Sequence, residues 1–169
     1  FGEFKSFDKQ ILLKIRKYNL SFKLLEKKKL PEIYSLIFKK INNKKTKVKG
    51  LSRLRDWEKG WNENLSDLKK KNKIKLLIPK WFKRLPLRWE KNFVSPYNHS
   101  FEFKFKDIFL NWLFLKYFKK IKNIHEFGCG TGTSLILLRK IFPNKNLTGL
   151  DWSLASGKII NYLNEKNKY

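Results

Sequence analysis

The sequence contains a single cysteine, no methionine, only eight glycines and few acidic residues. One cysteine, Cys129, excludes an intrachain disulfide framework, so we expect a reducing compartment. No uninterrupted apolar run approaches the ~18 residues that a membrane-spanning helix needs. These absences lead us to expect a soluble cytoplasmic protein without a membrane span. Because the chain starts at Phe1 and lacks methionine, we also expect a missing or processed N-terminus.

The charge is strongly positive, with 40 lysines and arginines against 14 acids and a formal net charge of +26. Such an excess is typical of proteins that bind nucleic acid or an anionic membrane surface. It is also what a biased composition rich in Lys, Asn, Ile and Phe would produce. The lysines are spread over every segment instead of forming one basic arm, which favours the compositional explanation.

The first half of the chain is interpreted as helical. Apolar residues at helical spacing predict a helix over residues 8–30, ended by Pro31, and a second short helix over 32–41. Residues 42–50 are polar and lysine-rich, as expected of a linker or exposed loop. Helical spacing resumes over 51–68 with Trp57 and Trp61 one turn apart. Two such indoles can stack on a base or a sugar, but this spacing is more typical of a core stripe.

Residues 81–89 form the most nucleic-acid-like part of the sequence, because aromatic residues lie among lysine and arginines there. The alternative is an extended cover strand whose aromatics face inward, and we favour it. Residues 94–100 are predicted to form a turn, in which His99 is a loop histidine without a partner acid. A strongly apolar helix over 103–121 should then pack directly on the sheet that follows.

The last third of the chain predicts a strand–turn–helix–strand unit. A strand over 122–127 leads into a glycine-rich turn over 128–132, followed by a helix over 134–141 and a second strand over 147–151. Ser153 is a plausible N-cap for a closing helix. A strand, helix and strand within so few residues indicate a parallel crossover.

This unit has the chemistry of a nucleotide-type cofactor site. Glycines let the chain turn sharply and let a ligand approach, and the following helix N-terminus favours anionic groups. Asp151 follows the second strand, nineteen residues after Gly132, near the ~20-residue spacing expected of an acid that binds a ribose diol. The spacing departs from Gly-x-Gly-x-x-Gly, because the third glycine comes early and Thr133 occupies its place. Glu126 would repel a pyrophosphate but attract an amino group, which favours S-adenosylmethionine over NAD.

Glu-Phe-Gly-Cys-Gly-Thr-Gly at 126–132, followed by Leu-Thr-Gly-Leu-Asp-Trp-Ser at 147–153, resembles the first two motifs of class I S-adenosylmethionine-dependent methyltransferases. The resemblance covers residues 121–169. It implies that Glu126 and the glycine-loop backbone hold the methionine part of the cofactor, Asp151 the ribose hydroxyls and Trp152 the adenine. The cofactor-binding residues are then expected to be Glu126, Gly128, Cys129, Gly130, Gly132, Asp151 and Trp152.

The expected fold is α/β, with the start of a Rossmann-like parallel sheet of about two strands after an α-helical N-terminal region. We divide the chain into a helical cap over 1–120 and an incomplete cofactor-binding domain over 121–169. The family's sheet has further strands, so we expect a fragment in which no catalytic base is visible, and we predict no metal site. The predicted function is methyl transfer, with a small molecule or sugar favoured as acceptor. The alternatives are a basic nucleic-acid-binding protein, an RNA methyltransferase and an NAD-dependent oxidoreductase.

Overall fold

The computed structural model describes residues 8–43, 50–80, 86–98 and 100–166. Within these ranges the chain combines helices and sheets, with a mainly helical N-terminal region and a small parallel sheet near its end. In chain order the elements are α1 (Lys9–Lys17), β1 (Phe22–Leu24), α2 (Leu30–Asn42), α3 (Leu54–Lys71), β2 (Leu87–Trp89), β3 (Asn92–Pro96), α4 (Phe101–Tyr117), β4 (Asn123–Phe127), α5 (Thr133–Ile141), β5 (Asn146–Leu150) and α6 (Leu154–Glu165).

The prediction of one helix over 8–30, ended by Pro31, is wrong. Asp8 caps α1 by accepting a hydrogen bond from the Gln10 amide at 2.9 Å, but the helix ends at Lys17. The chain then forms the short strand β1. Pro31 lies in the first turn of α2, where its missing N–H would have no partner within the helix. The proline therefore begins a helix, and the second predicted helix (32–41) is confirmed as α2.

The predicted turn over 94–100 is also wrong at its start, because Val94 and Pro96 belong to β3. This strand is the centre of an antiparallel sheet in the order β1–β3–β2. Phe22 of β1 pairs with Pro96 and Leu87 of β2 pairs with Val94. Proline is tolerated because it is the last residue of the strand, where the ladder ends. His99, the predicted loop histidine, lies outside the described residues.

α4 covers one face of this antiparallel sheet through edge-on aromatic contacts. The rings of Phe22 and Phe101 lie 6.0 Å apart, and those of Trp89 and Phe105 lie 5.4 Å apart. Trp89 thus contacts α4 at its ring edge but stays 40% exposed, so the inward orientation predicted for a cover strand is only partly met. The rest of the aromatic–basic cluster, residues 81–85, lies outside the described residues. The helix predicted over 103–121 is confirmed but ends earlier, at Tyr117.

The strand–helix–strand unit is confirmed to within about one residue at most of its boundaries. β4 and β5 pair in parallel, with Ile124 opposite Leu147 and Glu126 opposite Gly149. α4 packs on β4 and α5 through Phe114, while α3 packs on α6. The core that α3 shares with α5 and α6 consists of Trp61, Leu65, Leu68, Leu77, Ile136, Ala155, Ile159 and Leu163. In the described part of the chain, no helix has both the length and the apolarity to cross a bilayer.

Candidate functional site

The glycine-rich loop leaves β4 and leads into α5 through three glycines in left-handed conformation. Gly128, Gly130 and Gly132 have φ values of 72°, 54° and 71°, which other residues adopt only at a cost. The amides of Gly128 and Cys129 both donate to the Leu150 carbonyl, at 2.7 and 3.1 Å. The loop is thereby held against the end of β5, and α5 begins directly after it at Thr133.

Asp151 joins the two loops that leave the parallel strands. Its Oδ2 accepts a hydrogen bond from the Gly130 amide at 2.8 Å, and its Oδ1 accepts one from the Ser153 amide, also at 2.8 Å. The two motifs therefore meet at one carboxylate, although Gly130 and Asp151 lie 21 positions apart in the sequence. Each carboxylate oxygen can accept more than one hydrogen bond, so Asp151 retains acceptor capacity for a ligand.

Glu126 carries the most informative polar atom of the site. The side chain is half-buried, and its Oε2 is fully shielded from solvent without a hydrogen-bond partner. Burial raises the pKa of Glu126 above its ordinary value, and the charge of Asp151 adds to this effect. A hydrogen bond from Ser134 and the charge of Lys106 lower that pKa in part. The ionised form of a carboxylate in this position is stabilised when a cationic hydrogen-bond donor approaches.

Gly149 is required because the loop packs closely over β5. A Cβ at this position would lie 2.6 Å from Leu135 Cδ1 and 2.9 Å from Cys129 Sγ. Cys129 itself is buried in the core, so it contributes only its backbone to the loop surface. Burial and the nearby carboxylates raise the pKa of the Cys129 thiol to about 11, which makes it a packing group and a poor nucleophile.

Two tryptophans of α3 reach the site from the N-terminal half. Trp61 is buried and lies under the loop, since a Cβ on Gly130 would come within 3.1 Å of its Cζ2. Trp57 stacks on Trp61 with ring centroids 5.8 Å apart, and the Arg53 guanidinium lies over its outer face at 5.3 Å. The predicted core role is confirmed for Trp61. Trp57 is 38% exposed and instead lines the cavity next to the loop.

An open cavity of about 620 Å³ lies at the carboxyl ends of β4 and β5. Its wall is mainly aromatic and apolar, and Asp151 supplies its carboxylate. Trp152 is 67% exposed there, so its indole is available to a ligand. Gly128 and Ser153 also line it, whereas the predicted site residues Glu126, Cys129, Gly130 and Gly132 do not. The full lining is Leu54, Trp57, Trp61, Phe127, Gly128, Leu150, Asp151, Trp152 and Ser153.

Glu58 is a residue of this region that sequence reasoning missed. Ser153 occupies the predicted N-cap position of α6, but its hydroxyl donates to Glu58 Oε2 instead of capping its own helix. The same carboxylate accepts a hydrogen bond from the Ala155 amide at 3.0 Å. Glu58 therefore caps α6 from another helix, and these hydrogen bonds, led by the one from Ser153, lower its pKa. No local sequence signal links residues so far apart.

Comparison with known proteins gives no relative: no model of a protein family, no curated protein and no solved structure matches the chain. Within the described ranges, no group of three or more His, Cys, Asp or Glu side chains is arranged to hold a metal ion. The features of the molecule that bear on function are therefore the glycine-rich loop, the two acids and the aromatic cavity.

Proposed function

We propose that this cavity binds S-adenosylmethionine and that the chain carries the cofactor-binding part of a methyltransferase. The observation that supports the proposal is the buried, unpartnered Oε2 of Glu126 beside a glycine loop. In this proposal β4, α5 and β5 are the first strand–helix–strand unit of a Rossmann-like sheet. The cofactor would lie at the carboxyl ends of the strands, where ligands of such sheets bind.

Glu126 does not line the open cavity, but it directly precedes Phe127 and Gly128, which do, and in this proposal it receives the α-ammonium group of the cofactor. An ionised carboxylate held half-buried near Asp151 is unfavourable by itself, as the raised pKa of Glu126 indicates. A cation placed against Oε2 removes that penalty and makes a charge-assisted hydrogen bond. The carboxylate of the methionine part would then face the N-terminus of α5, where the helix dipole favours negative charge.

Asp151 and the aromatic walls would hold the nucleoside. The Asp151 oxygens face the Gly130 and Ser153 amides and can accept further hydrogen bonds from ribose hydroxyls. Trp152 is exposed at the cavity and offers a flat apolar surface for the adenine, and the Trp57 indole lies in the same wall. A dinucleotide is a poorer fit, because its pyrophosphate would approach Glu126 and Asp151 with charge of the same sign.

When bound, S-adenosylmethionine supplies an electrophilic sulfonium methyl group. The residues described here would fix the orientation of that group and exclude water, so that alignment with the acceptor lowers the barrier. No side chain is assigned as a general base. We propose a small molecule or a sugar as the acceptor, because the positive charge is spread over all segments and the cavity is aromatic.

Calorimetric titration with S-adenosylhomocysteine tests the proposal directly. Glu126→Gln and Asp151→Asn should each weaken binding roughly 10- to 100-fold, as expected when a charged hydrogen-bond partner is lost. Glu63→Gln and Asp67→Asn are matched controls, because both acids lie on α3 and pair with the exposed Lys80. Equal affinity in all four variants, or binding of NADH without binding of S-adenosylhomocysteine, would refute the assignment.

A further inference from the structure

α2 presents an apolar surface that the rest of the described chain does not cover. Of its thirteen residues, all of them described, only Ile33 is buried. Tyr34, Phe38 and Ile41 follow one another at spacings of four and three residues and so share one face. They are 47%, 61% and 57% exposed. Leu36 is 52% exposed on the opposite side of the helix.

One end of this surface contacts the antiparallel sheet. The Tyr34 ring meets Phe93 of β3 edge-on with centroids 5.8 Å apart, and Phe93 is buried. Phe93 and Val94 are consecutive residues of one strand and both are buried, so both faces of the antiparallel sheet are covered. α4 covers one face and α2 lies against the other. Tyr34 therefore anchors one end of the stripe on the sheet, while Phe38 and Ile41 further along it stay exposed.

The surroundings of the stripe are basic. Between Phe22 and Asn43 the sequence contains six lysines and two glutamates. Lys28 pairs with Glu26 at 2.7 Å, and Lys27, Lys29 and Lys39 are exposed close to the ends of α2. A helix with large apolar residues on one face and lysines around it is the type that lies in the headgroup region of a bilayer.

We infer that the α2 stripe (Tyr34, Phe38 and Ile41) docks on the surface of an anionic lipid bilayer. The apolar side chains would enter the boundary of the acyl chains while the lysines attract anionic headgroups. A second copy of the chain fits less well, because it would bring two surfaces of strongly positive charge together. Nucleic acid offers the charge but no apolar layer to receive Phe38 and Ile41.

Vesicle flotation with the full chain tests the inference. The protein should float with vesicles of mixed phosphatidylcholine and phosphatidylglycerol and remain unbound with phosphatidylcholine alone. Phe38→Ser together with Ile41→Ser should weaken binding about tenfold or more, since the buried apolar area supplies the anchoring. Leu154→Ser is the control, because Leu154 is 75% exposed on a different helix. Circular dichroism should show the same helix content in all variants.

A charge series separates lipid docking from other occupants. Lys27→Ser with Lys39→Ser should reduce the affinity for anionic vesicles roughly thirtyfold, at ~1 kcal/mol for each lysine near the surface. Lys69→Ser with Lys71→Ser, at the end of α3, should have a smaller effect. Absence of binding to anionic vesicles overturns the inference. So does a dimer in light scattering that Phe38→Ser abolishes, or vesicle binding that the stripe variant leaves unchanged.

Discussion

The carboxylate of Glu58 on α3 accepts a hydrogen bond from the hydroxyl of Ser153, a residue 95 positions later in the chain. It also accepts one from the Ala155 amide, so it serves as the N-cap of α6. One side chain thereby connects the helical half of the protein to the loop that follows β5. Asp151 lies in that loop and holds the Ser153 amide. The position of the cavity wall thus depends on a residue of the other half.

Glu58→Ala should lower the free energy of unfolding by about 1–2 kcal/mol, the usual cost of losing an N-cap. Because hydrogen bonds lower the pKa of Glu58 in the folded state, its contribution is present above the ordinary value of 4.5 and is lost as pH falls below it. Urea titrations at neutral and acid pH measure both effects. Glu63→Ala removes an exposed ion pair with Lys80 and should change little. An equal loss in both variants would contradict the capping role.

Gly130→Ala should destabilise the protein by about 1–2 kcal/mol, since an alanine at positive φ is strained and its Cβ would press on Trp61. Gly60→Ala should instead stabilise it by roughly 0.5–1 kcal/mol, because this glycine lies within α3 with open space around it. Thermal unfolding of the two variants compares the effect of one added methyl group at a strained loop position and at an open helix position. A stabilising Gly130→Ala would mean that the loop is not held as described.

Glu126→Gln should make the ligand-free protein more stable at neutral pH. Burial raises the folded-state pKa of Glu126, so the native state favours the protonated form and wild-type stability falls as pH rises above 4.5. Glutamine does not titrate, and the advantage of the variant should therefore shrink toward about pH 4. Chemical denaturation over this range provides the measurement. A variant that is less stable at neutral pH would show that the carboxylate is satisfied without a ligand.

Cys129 should react with thiol reagents at least about a hundredfold more slowly in the folded protein than after unfolding, because burial raises its pKa to about 11. The sequence contains one cysteine, so the whole signal reports this site. Ellman's reagent at mildly alkaline pH, with and without denaturant, gives both rates. Rapid labelling of the native protein would place the thiol at the surface and displace it from the contact with Gly149.

The strand–helix–strand unit could be predicted from the sequence because its signals are local. Apolar runs end in glycines or an acid, and the boundaries of β4 and β5 follow from them. The antiparallel sheet was missed since β1 and β2 have only three residues each, and their pairing with β3 depends on distant contacts. Pro31 is ambiguous in the sequence, because proline can end one helix or begin the next, and here it begins α2. Helical spacing predicts a core position for Trp57 as well as for Trp61, because spacing alone does not show which turn of the helix is buried and which is exposed.

The close approach of Trp61 to Gly130 couples the glycine-rich loop to a helix far upstream. Trp61 belongs to the same hydrophobic core as Leu65, Leu68 and residues of α6. The loop therefore cannot be reshaped without displacing an indole that anchors a helical layer. A ligand that fixes the loop should slow amide hydrogen exchange along α3 as well as in the loop itself. Occupancy of the cavity would thus be detectable in the hydrogen exchange of the part of α3 beyond Trp61, which does not line the cavity.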